Sequence, residues 1–302
     1  MQTQPGPVPH FDLDHLMLKV DDLAAARAAM GRLGFTTSPY RTNDPMGGGR
    51  TGGRGGNHLV LFEPLVPDTT NMLELAYCDV PHAMPAMREV LGGQQGFAML
   101  VVSPADLSAL RAWWTAQGFD FSPVIGQRFD WQDPETGQRD LIHFEVVVPQ
   151  SHPWVYPFNA AKMLDFTHYE RPAWRRHANT ARHWTVCTVA VDDADFEASP
   201  AMLQRIYGRE SVAAEAGGLQ VRRGPLRFVV MRRSAFAEHL RDALGDAATP
   251  CHSSIHVQVD SLDEAARVMS GNGVPFVRAG SGLLVPPAFG CGVAYAFSEA
   301  PA

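Results

Sequence analysis

The amino-acid sequence predicts an α+β protein in which four β-α-β-β-β units form two domains of two paired units each. A strand-turn-helix pattern at residues 11–35 returns at residues 97–119, and a similar order of elements follows twice more in the C-terminal half. A chain of 302 residues is also long enough for two domains with substantial interiors. Because each unit leaves one sheet face half-exposed, we expect paired units whose curled mixed sheets surround a cavity.

The first strand is predicted over residues 11–20. Its alternation places Leu16 and Leu18 on one face, which we expect to pack on the helix. Leu13, His15 and Met17 fall on the other face. This strand therefore points one polar side chain, His15, to the open side of the sheet.

The first helix is predicted over residues 24–33. Asp22 precedes it as the N-cap, and Gly34 follows it as a left-handed C-cap. The second unit repeats both signals, since Asp106 aligns with Asp22 and Gly118 with Gly34. Further strands are predicted at residues 35–40, 58–62, 72–77, 128–131, 140–148, 184–191, 219–222, 226–231, 254–259 and 292–297, and further helices near 202–207 and 261–271.

A glycine-rich loop covers residues 44–57 and contains seven glycines. It is not a phosphate-binding loop, because no Gly-Lys-Ser/Thr follows and the next segment is a strand. Two interpretations stay open: a mobile surface loop, or a lid on which Arg50 or Arg54 meets an anionic ligand.

The predicted domain boundaries divide the chain into residues 1–160, a linker at 161–182, and residues 183–302. The region between the second and third units is rich in proline, histidine and aromatic residues and does not fit the repeat. It is interpreted as a linker packed across the surface, although its His177 and Asn179 could equally border a pocket.

Composition excludes several classes of function. The net charge of −7 disfavours a nucleic-acid partner, because phosphate binding requires a clustered basic face. The four cysteines are far apart and form no Cys-x-x-Cys pair, which argues against a zinc finger or a redox dithiol. No apolar run has a membrane-spanning length, and the N-terminus lacks the features of a secretory signal. We therefore expect a cytoplasmic protein.

Two passages resemble the vicinal oxygen chelate superfamily, in particular its glyoxalase-like domains. Residues 15–23, HLMLKVDDL, resemble the first strand and turn of glyoxalase I, whose histidine is a metal ligand. Residues 72–77, MLELAY, resemble the fourth strand of that enzyme, whose glutamate is a second ligand. Residues 177–181 are also similar to a His-x-Asn segment of larger glyoxalase-like proteins. The resemblance implies that His15 and Glu74 bind a metal.

In the second unit, Glu145 is predicted to match Glu74 and to share a strand face with His143. The position that matches His15 is Met99, or Ala98 after a slip of one residue. The expected metal set is therefore His15, Glu74 and Glu145, with Glu74 and Glu145 as the catalytic residues. Such nitrogen and oxygen donors would suit Mn²⁺, Fe²⁺, Zn²⁺ or Ni²⁺. Without a metal, His15 would be a hydrogen-bonded cavity histidine, and Glu74 would pair with a cavity arginine or Lys19.

The leading functional hypothesis is a metal-dependent lyase, isomerase or hydrolase that acts on a small organic molecule with adjacent oxygens. The alternatives are a metal-free protein that binds or sequesters a small molecule, an extradiol dioxygenase, and a structural scaffold. The C-terminal units lack residues that match His15 and Glu74, so the site is expected in the N-terminal half. A homodimer is plausible, because sheet edges must be covered. The predicted pocket residues are Met17, His58, Met99, Phe129, Trp131, His143, His177 and Asn179.

Overall fold

The computed structural model describes residues 6–42, 55–79, 85–150, 156–215 and 217–300. Within these ranges the chain forms two mixed sheets of eight strands each. The strands of the first sheet are β1 (Phe11–Lys19), β2 (Arg41–Thr42), β3 (Gly55–Leu61), β4 (Met72–Cys78), β5 (Gly96–Pro104), β6 (Ile125–Gln132), β7 (Arg139–Val147) and β8 (Phe158–Met163). Those of the second sheet are β9 (Ala181–Val191), β10 (Val212–Glu215), β11 (Gly218–Arg223), β12 (Leu226–Arg232), β13 (Ser253–Val259), β14 (Val277–Ala279), β15 (Gly282–Val285) and β16 (Ala294–Glu299).

The helices of these ranges are α1 (Leu23–Arg32), α2 (Pro85–Gly92), α3 (Leu107–Ala116), α4 (Pro172–Arg175), α5 (Asp193–Phe196), α6 (Ser199–Tyr207), α7 (Arg233–Leu244) and α8 (Leu262–Gly271). Asp22 caps α1 by accepting a hydrogen bond from the Ala25 amide, and Asp106 does the same for Ala109 in α3. The N-caps predicted for both units are thus confirmed, because a short carboxylate satisfies an amide that the first helical turn leaves unpaired.

Both sheets have the same strand order. The first runs β2-β3-β4-β1-β5-β8-β7-β6, and the second runs β10-β11-β12-β9-β13-β16-β15-β14. In each sheet the first strands of two units pair antiparallel at the centre, β1 with β5 and β9 with β13. The fourth strand of each unit pairs parallel on the outer side of its own first strand. Four β-α-β-β-β units paired as two domains are therefore confirmed.

The fourth strand of the second unit lies further along the chain than the sequence suggested. β7 ends at Val147, and the strand that pairs parallel with β5 is β8, Phe158–Met163. The segment predicted as a linker, 161–182, thus includes the end of β8, the short helix α4 and the start of β9.

The remainder of that segment packs against the first domain. Arg171 donates from Nη2 to Asp140 Oδ2 at 2.5 Å, and its guanidinium lies 4.6 Å from the ring centre of Trp174. Asp140 also bonds the ring of His168 at 3.0 Å. Burial and the neighbouring arginines lower the pKa of His168 to about 4, so the imidazole is neutral in the folded protein at neutral pH.

The helix-facing sides of the two sheets share one hydrophobic core. Trp114 of α3 is fully buried, stacks on Phe121 at 4.8 Å and donates from Nε1 to the Ile206 carbonyl of α6 at 2.9 Å. Tyr156 and Tyr207 join across the same boundary by a hydroxyl–hydroxyl bond of 3.2 Å. The two domains are therefore fixed to each other by apolar burial and by specific hydrogen bonds.

A β-bulge in β1 changes one predicted face. Leu13 pairs with Val102 and His15 with Val101, so Asp14 is an extra residue in this ladder. Leu13 consequently lies in the helix-facing core with Leu16, not on the face of His15 and Met17. Strict alternation gave the wrong face for Leu13, because the bulge interrupts the period of two.

The open face of the second sheet is covered by α7. Phe236, Leu240 and Leu244 of this helix lie in one hydrophobic cluster with Ala190 of β9 and Ala294 of β16. The corresponding connection in the first sheet carries the shorter helix α2. The first sheet therefore has a pocket on its open face, whereas α7 fills the equivalent space on the second sheet.

No helix of the described ranges is both long enough and apolar enough to cross a membrane.

We predict that Trp114→Ala lowers the free energy of unfolding by about 3–5 kcal/mol, since it leaves a large cavity and an unpaired Ile206 carbonyl between the domains. Urea denaturation followed by far-ultraviolet circular dichroism measures this loss. Thr115→Ala, on the exposed face of the same helix, is the matched control and should change stability by less than about 0.5 kcal/mol. An equally small effect of Trp114→Ala would show that this contact does not join the domains.

Candidate functional site

A cavity of about 90 Å³ opens on the face of the first sheet that points away from the shared core. Its floor comes from β1, β4, β5 and β8, its sides from β7 and α2, and part of its cover from the segment after β8. The lining residues are His15, Met17, Arg41, Met72, Glu74, Met87, Met99, Val101, Phe144, Val146, Val148, Asn159, Ala161, Met163 and Tyr169.

Strand pairing arranges the floor in two rows. In one row His15 of β1 lies beside Val101 of β5, which lies beside Asn159 of β8. In the other row, Glu74 of β4 lies beside Met17 of β1, which lies beside Met99 of β5. An approximate two-fold relation between the units exchanges the rows, so that His15 corresponds to Met99 and Glu74 to Asn159.

His15 is oriented by its neighbour Asp14. The Asp14 carboxylate bonds His15 Nδ1 at 2.7 Å and accepts hydrogen bonds from the amide and hydroxyl of Thr70. Both side chains are buried. Because the β-bulge lets two successive side chains lie at the same level, the carboxylate can hold the ring of a histidine that lines the cavity.

Glu74 is held by a chain of hydrogen bonds that reaches the segment covering the cavity. Asn57 of β3 donates from Nδ2 to Glu74 Oε1 at 2.5 Å. Asn57 in turn accepts from Arg41 Nε at 3.1 Å, and Arg41 donates from Nη1 to the Tyr169 hydroxyl at 3.2 Å. These bonds compensate for burying a carboxylate and a guanidinium in an apolar cavity. Glu74 is thus linked through Asn57 to a cavity arginine, Arg41.

Glu145 and His143 do not line the cavity. On β7, the alternating residues Phe144 and Val146 face it, so His143 and Glu145 lie on the opposite side of the strand. Glu145 is paired in register with Lys162, which is likewise absent from the lining. The position that corresponds to Glu74 is Asn159 on β8, because β8 and not β7 is the fourth strand.

The residues of the cavity do not fit a complete divalent-metal centre. Of the four corresponding positions, His15 and Glu74 are hard-metal ligands, whereas Met99 offers a thioether and Asn159 a neutral amide. Catalytic zinc sites, for comparison, have three protein ligands of the histidine, carboxylate or thiolate type. Among the described residues, no group of three or more His, Cys, Asp or Glu side chains lies close enough to hold a metal ion.

Three other predicted pocket residues, His58, Phe129 and Trp131, are not part of the cavity lining. His58 bonds the Ser38 carbonyl through Nδ1 at 2.8 Å, and burial lowers its pKa. Trp131 packs against the rings of His168 and Trp174 at 4.9 and 6.0 Å, and Phe129 joins the same hydrophobic cluster. Met17 and Met99, in contrast, are in the lining.

His177 and Asn179 lie between the domains. The His177 ring accepts a hydrogen bond from the Thr36 amide at 3.0 Å and contacts the Leu61 carbonyl through Nε2 at 2.9 Å. Asn179 donates to the Leu33 carbonyl at 2.9 Å, which closes the C-terminal end of α1. Both side chains are buried and satisfied by backbone groups, so they join the start of the second domain to the first.

Several lining residues were not predicted from the sequence. Asn159 lies in FNAAKM, a six-residue strand whose asparagine and lysine are poor strand formers. Arg41 and Tyr169 reach the cavity only through tertiary contacts. Met72 could have been predicted, because it lies two residues from Glu74 and so shares its face of β4. Phe144 likewise shares its face of β7 with Val146, which lines the cavity. The proposed lid residues Arg50 and Arg54 lie outside the described ranges.

Comparisons with known proteins agree with this architecture. A family model described as a glyoxalase-like domain matches residues 13–206. A hypothetical protein from Staphylococcus aureus superposes with a TM-score of 0.59 at 10% identity, covering 96% of this chain and all of the other. A comparison with curated proteins returns no match.

Two further solved structures are named as dioxygenases. Homoprotocatechuate 2,3-dioxygenase from Arthrobacter globiformis gives a TM-score of 0.55 at 9% identity, covering 99% of this chain and 83% of the other. A xylose isomerase-like TIM barrel/4-hydroxyphenylpyruvate dioxygenase fusion protein gives a TM-score of 0.57 at 13% identity. The superposition covers 99% of this chain and 50% of the fusion protein. Identities this low show a shared fold and not a shared reaction.

The paired β-α-β-β-β units and the match to the glyoxalase-like family model identify a protein of the vicinal oxygen chelate superfamily. Because the family model covers well over half of the sequence, the chain belongs to the glyoxalase-like domain family.

Burial lowers the pKa of His177 to about 4 from an ordinary value of 6.5. The unfolded chain therefore binds a proton at this imidazole below pH 6.5, whereas the folded chain binds it only near pH 4, so stability falls as the pH drops through this window. We predict that His177→Gln is less stable than the wild type near neutral pH. Between about pH 7.5 and about pH 5 its deficit should shrink by on the order of 2 kcal/mol.

Urea denaturation at the two pH values measures this difference. Asn179→Ala, which removes a hydrogen bond of a non-titrating side chain at the same junction, is the control and should keep the pH dependence of the wild type. An unchanged pH dependence in His177→Gln would contradict a neutral, buried His177.

Proposed function

We propose that this chain binds a small, largely apolar organic molecule in the cavity of the first sheet, without a complete metal centre. One observation supports this proposal above the others. The four corresponding positions on the cavity floor carry His15, Glu74, Met99 and Asn159, so half of a metal-ligand set is replaced by a thioether and an amide.

The lining suits an apolar ligand of varied shape. Five of the twelve methionines of the chain border the cavity: Met17, Met72, Met87, Met99 and Met163. Methionine is flexible and polarisable, and its sulfur makes favourable contacts with aromatic rings. Small-molecule pockets typically combine such an apolar lining with a few fixed polar groups.

The polar groups of the site are held in place before a ligand arrives. Asp14 orients His15, and Asn57 orients Glu74. Tyr169 bonds Arg41, so that a residue from the covering segment is tied to the hydrogen-bond chain of the cavity. Preorganisation of this kind lowers the free-energy cost of ordering side chains on binding.

The proposal predicts that apolar aromatic probes enter this cavity. We expect toluene and indole to shift the ¹³C-methyl resonances of Met17, Met99 and Met163, because ring currents act over short distances. Met30 and Met269, which are buried in the shared core, are internal controls and should not shift. Titrations followed by methyl NMR measure the effect, and a failure of every cavity methionine to respond would contradict the proposal.

A second candidate function is a metal-dependent reaction of the lyase, isomerase or hydrolase type. It is supported by the placement of His15 and Glu74 in one cavity and by Asp14, which holds His15 as carboxylates hold metal-binding histidines. It ranks second because Met99 and Asn159 leave the hard donor set short of the usual three protein ligands. A metal-dependent dioxygenase reaction is disfavoured for the same reason, because the cavity supplies too few metal ligands.

Metal analysis separates the two candidate functions. For protein purified without chelator or nickel resin, we expect mass spectrometry to find no stoichiometric Mn, Fe, Ni or Zn, and no change in His15→Ala or Glu74→Ala. His143→Ala, on the far side of β7, is the control. Near-stoichiometric metal that is lost in His15→Ala and Glu74→Ala, but not in His143→Ala, would replace the first proposal with the second.

The remaining proposals about partners follow from the sequence. The net charge of −7 supports a partner that is a small molecule rather than a nucleic acid. A homodimer and a cytoplasmic location stay predictions.

A further inference from the structure

β6 is the longest sheet edge in the described part of the chain. The edge strands of the two sheets are β2, β6, β10 and β14, and they contain two, eight, four and three residues. β6 pairs with β7 on one side, and no other described strand pairs with its outer side. This outer edge therefore presents a row of backbone donors and acceptors that is long enough to pair with another strand.

β6 lacks the features that usually prevent an edge strand from pairing. Its sequence, IGQRFDWQ, contains no proline or lysine, and its ladder with β7 runs without a bulge. Charged side chains of one sign would repel a second copy, because like charges directly opposite each other are destabilising. β6 instead carries one charge of each sign, Arg128 and Asp130, on the same face and two residues apart. This pattern attracts an antiparallel copy of itself.

Both charged side chains are available for such a contact. Arg128 and Asp130 are exposed, and among the residues that the structure describes neither side chain makes a hydrogen bond or an ion pair. Directly across the ladder on β7, Arg128 lies opposite His143 and Asp130 lies opposite Leu141. The neighbouring strand therefore supplies neither of them with an opposite charge.

We propose that two copies of this chain form a homodimer by antiparallel pairing of β6 with β6 of the second copy, with Phe129 on the two-fold axis. In this register Arg128 lies opposite the partner subunit's Asp130, so symmetry produces two ion pairs. Phe129, which is half-buried in the free chain, lies opposite the partner subunit's Phe129. Aromatic pairs of this kind stabilise antiparallel strands. The dimer does not depend on which ligand the cavity binds.

Charge reversal tests this register, because each single substitution places like charges opposite each other at both ion pairs. Sedimentation velocity over a series of protein concentrations measures the dimer dissociation constant of the wild type, Arg128→Asp and Asp130→Arg. The control is Arg209→Asp, which changes an exposed arginine of the second domain. We expect the wild type and the control to dimerise equally, and each β6 variant to dimerise at least about tenfold more weakly.

An equimolar mixture of Arg128→Asp and Asp130→Arg separates a specific register from a general effect of charge. In the mixed pair, the strand with two acidic side chains lies opposite the strand with two basic side chains, so both ion pairs are restored. The mixture should dimerise at about the affinity of the wild type, and the double variant Arg128→Asp/Asp130→Arg should do so alone. Far-ultraviolet circular dichroism verifies that each variant is folded.

Three results would overturn the proposal. The first is a wild type that stays monomeric up to its solubility limit. The second is a dimer that Arg128→Asp and Asp130→Arg both retain at wild-type affinity, which would place the interface on another surface. The third is a pair of weakened variants whose mixture and double variant remain weak, which would show that the two charges do not face each other across a two-fold axis.

Discussion

The antiparallel pairing of β1 with β5 is the constraint on which the rest of the first domain depends. It joins the first strands of two units about an approximate two-fold axis, and the fourth strands, β4 and β8, can then add only on the outer sides. Everything that faces the cavity follows from this register, because residues on adjacent strands at one level share a face. The Asp14 bulge is part of the same constraint, since it brings a carboxylate beside His15 without turning His15 away from the cavity.

The second sheet shows that the fold does not by itself produce a site. Its central pairing and strand order are those of the first sheet, yet α7 places Phe236, Leu240 and Leu244 against its open face. Burial of these side chains contributes to stability where the first sheet retains an open cavity, and each large apolar side chain contributes about 1.5–3 kcal/mol. The second sheet thus buries apolar side chains where the first sheet has a cavity, and the helix-facing sides of both sheets form the single core that joins them.

The sequence predicted most of this fold because the repeat carries strong local signals. Asp22 and Asp106 begin corresponding helices, and the apolar strands β1, β4 and β5 alternate clearly enough to be placed. The site was harder to predict because its residues depend on pairing that no local pattern encodes. β8 contains Asn159 and Lys162 and was not recognised, so Glu145 was assigned to the position that Asn159 occupies. The bulge at Asp14 placed Leu13 on the face opposite to the predicted one. The alternation of apolar and polar residues does not reveal that the strand contains an extra, unpaired residue.

The departures from a metal-binding pattern are not scattered over the cavity. The first unit keeps both polar residues, His15 and Glu74, whereas the second has Met99 and Asn159 at the corresponding positions. His15 and Asn159 lie two strands apart, a span of about 10 Å between backbones at roughly 4.8 Å per strand. Val101 lies between them on the cavity floor. The two sides of the cavity therefore differ in chemistry, with an imidazole oriented by Asp14 on one side and a neutral amide on the other.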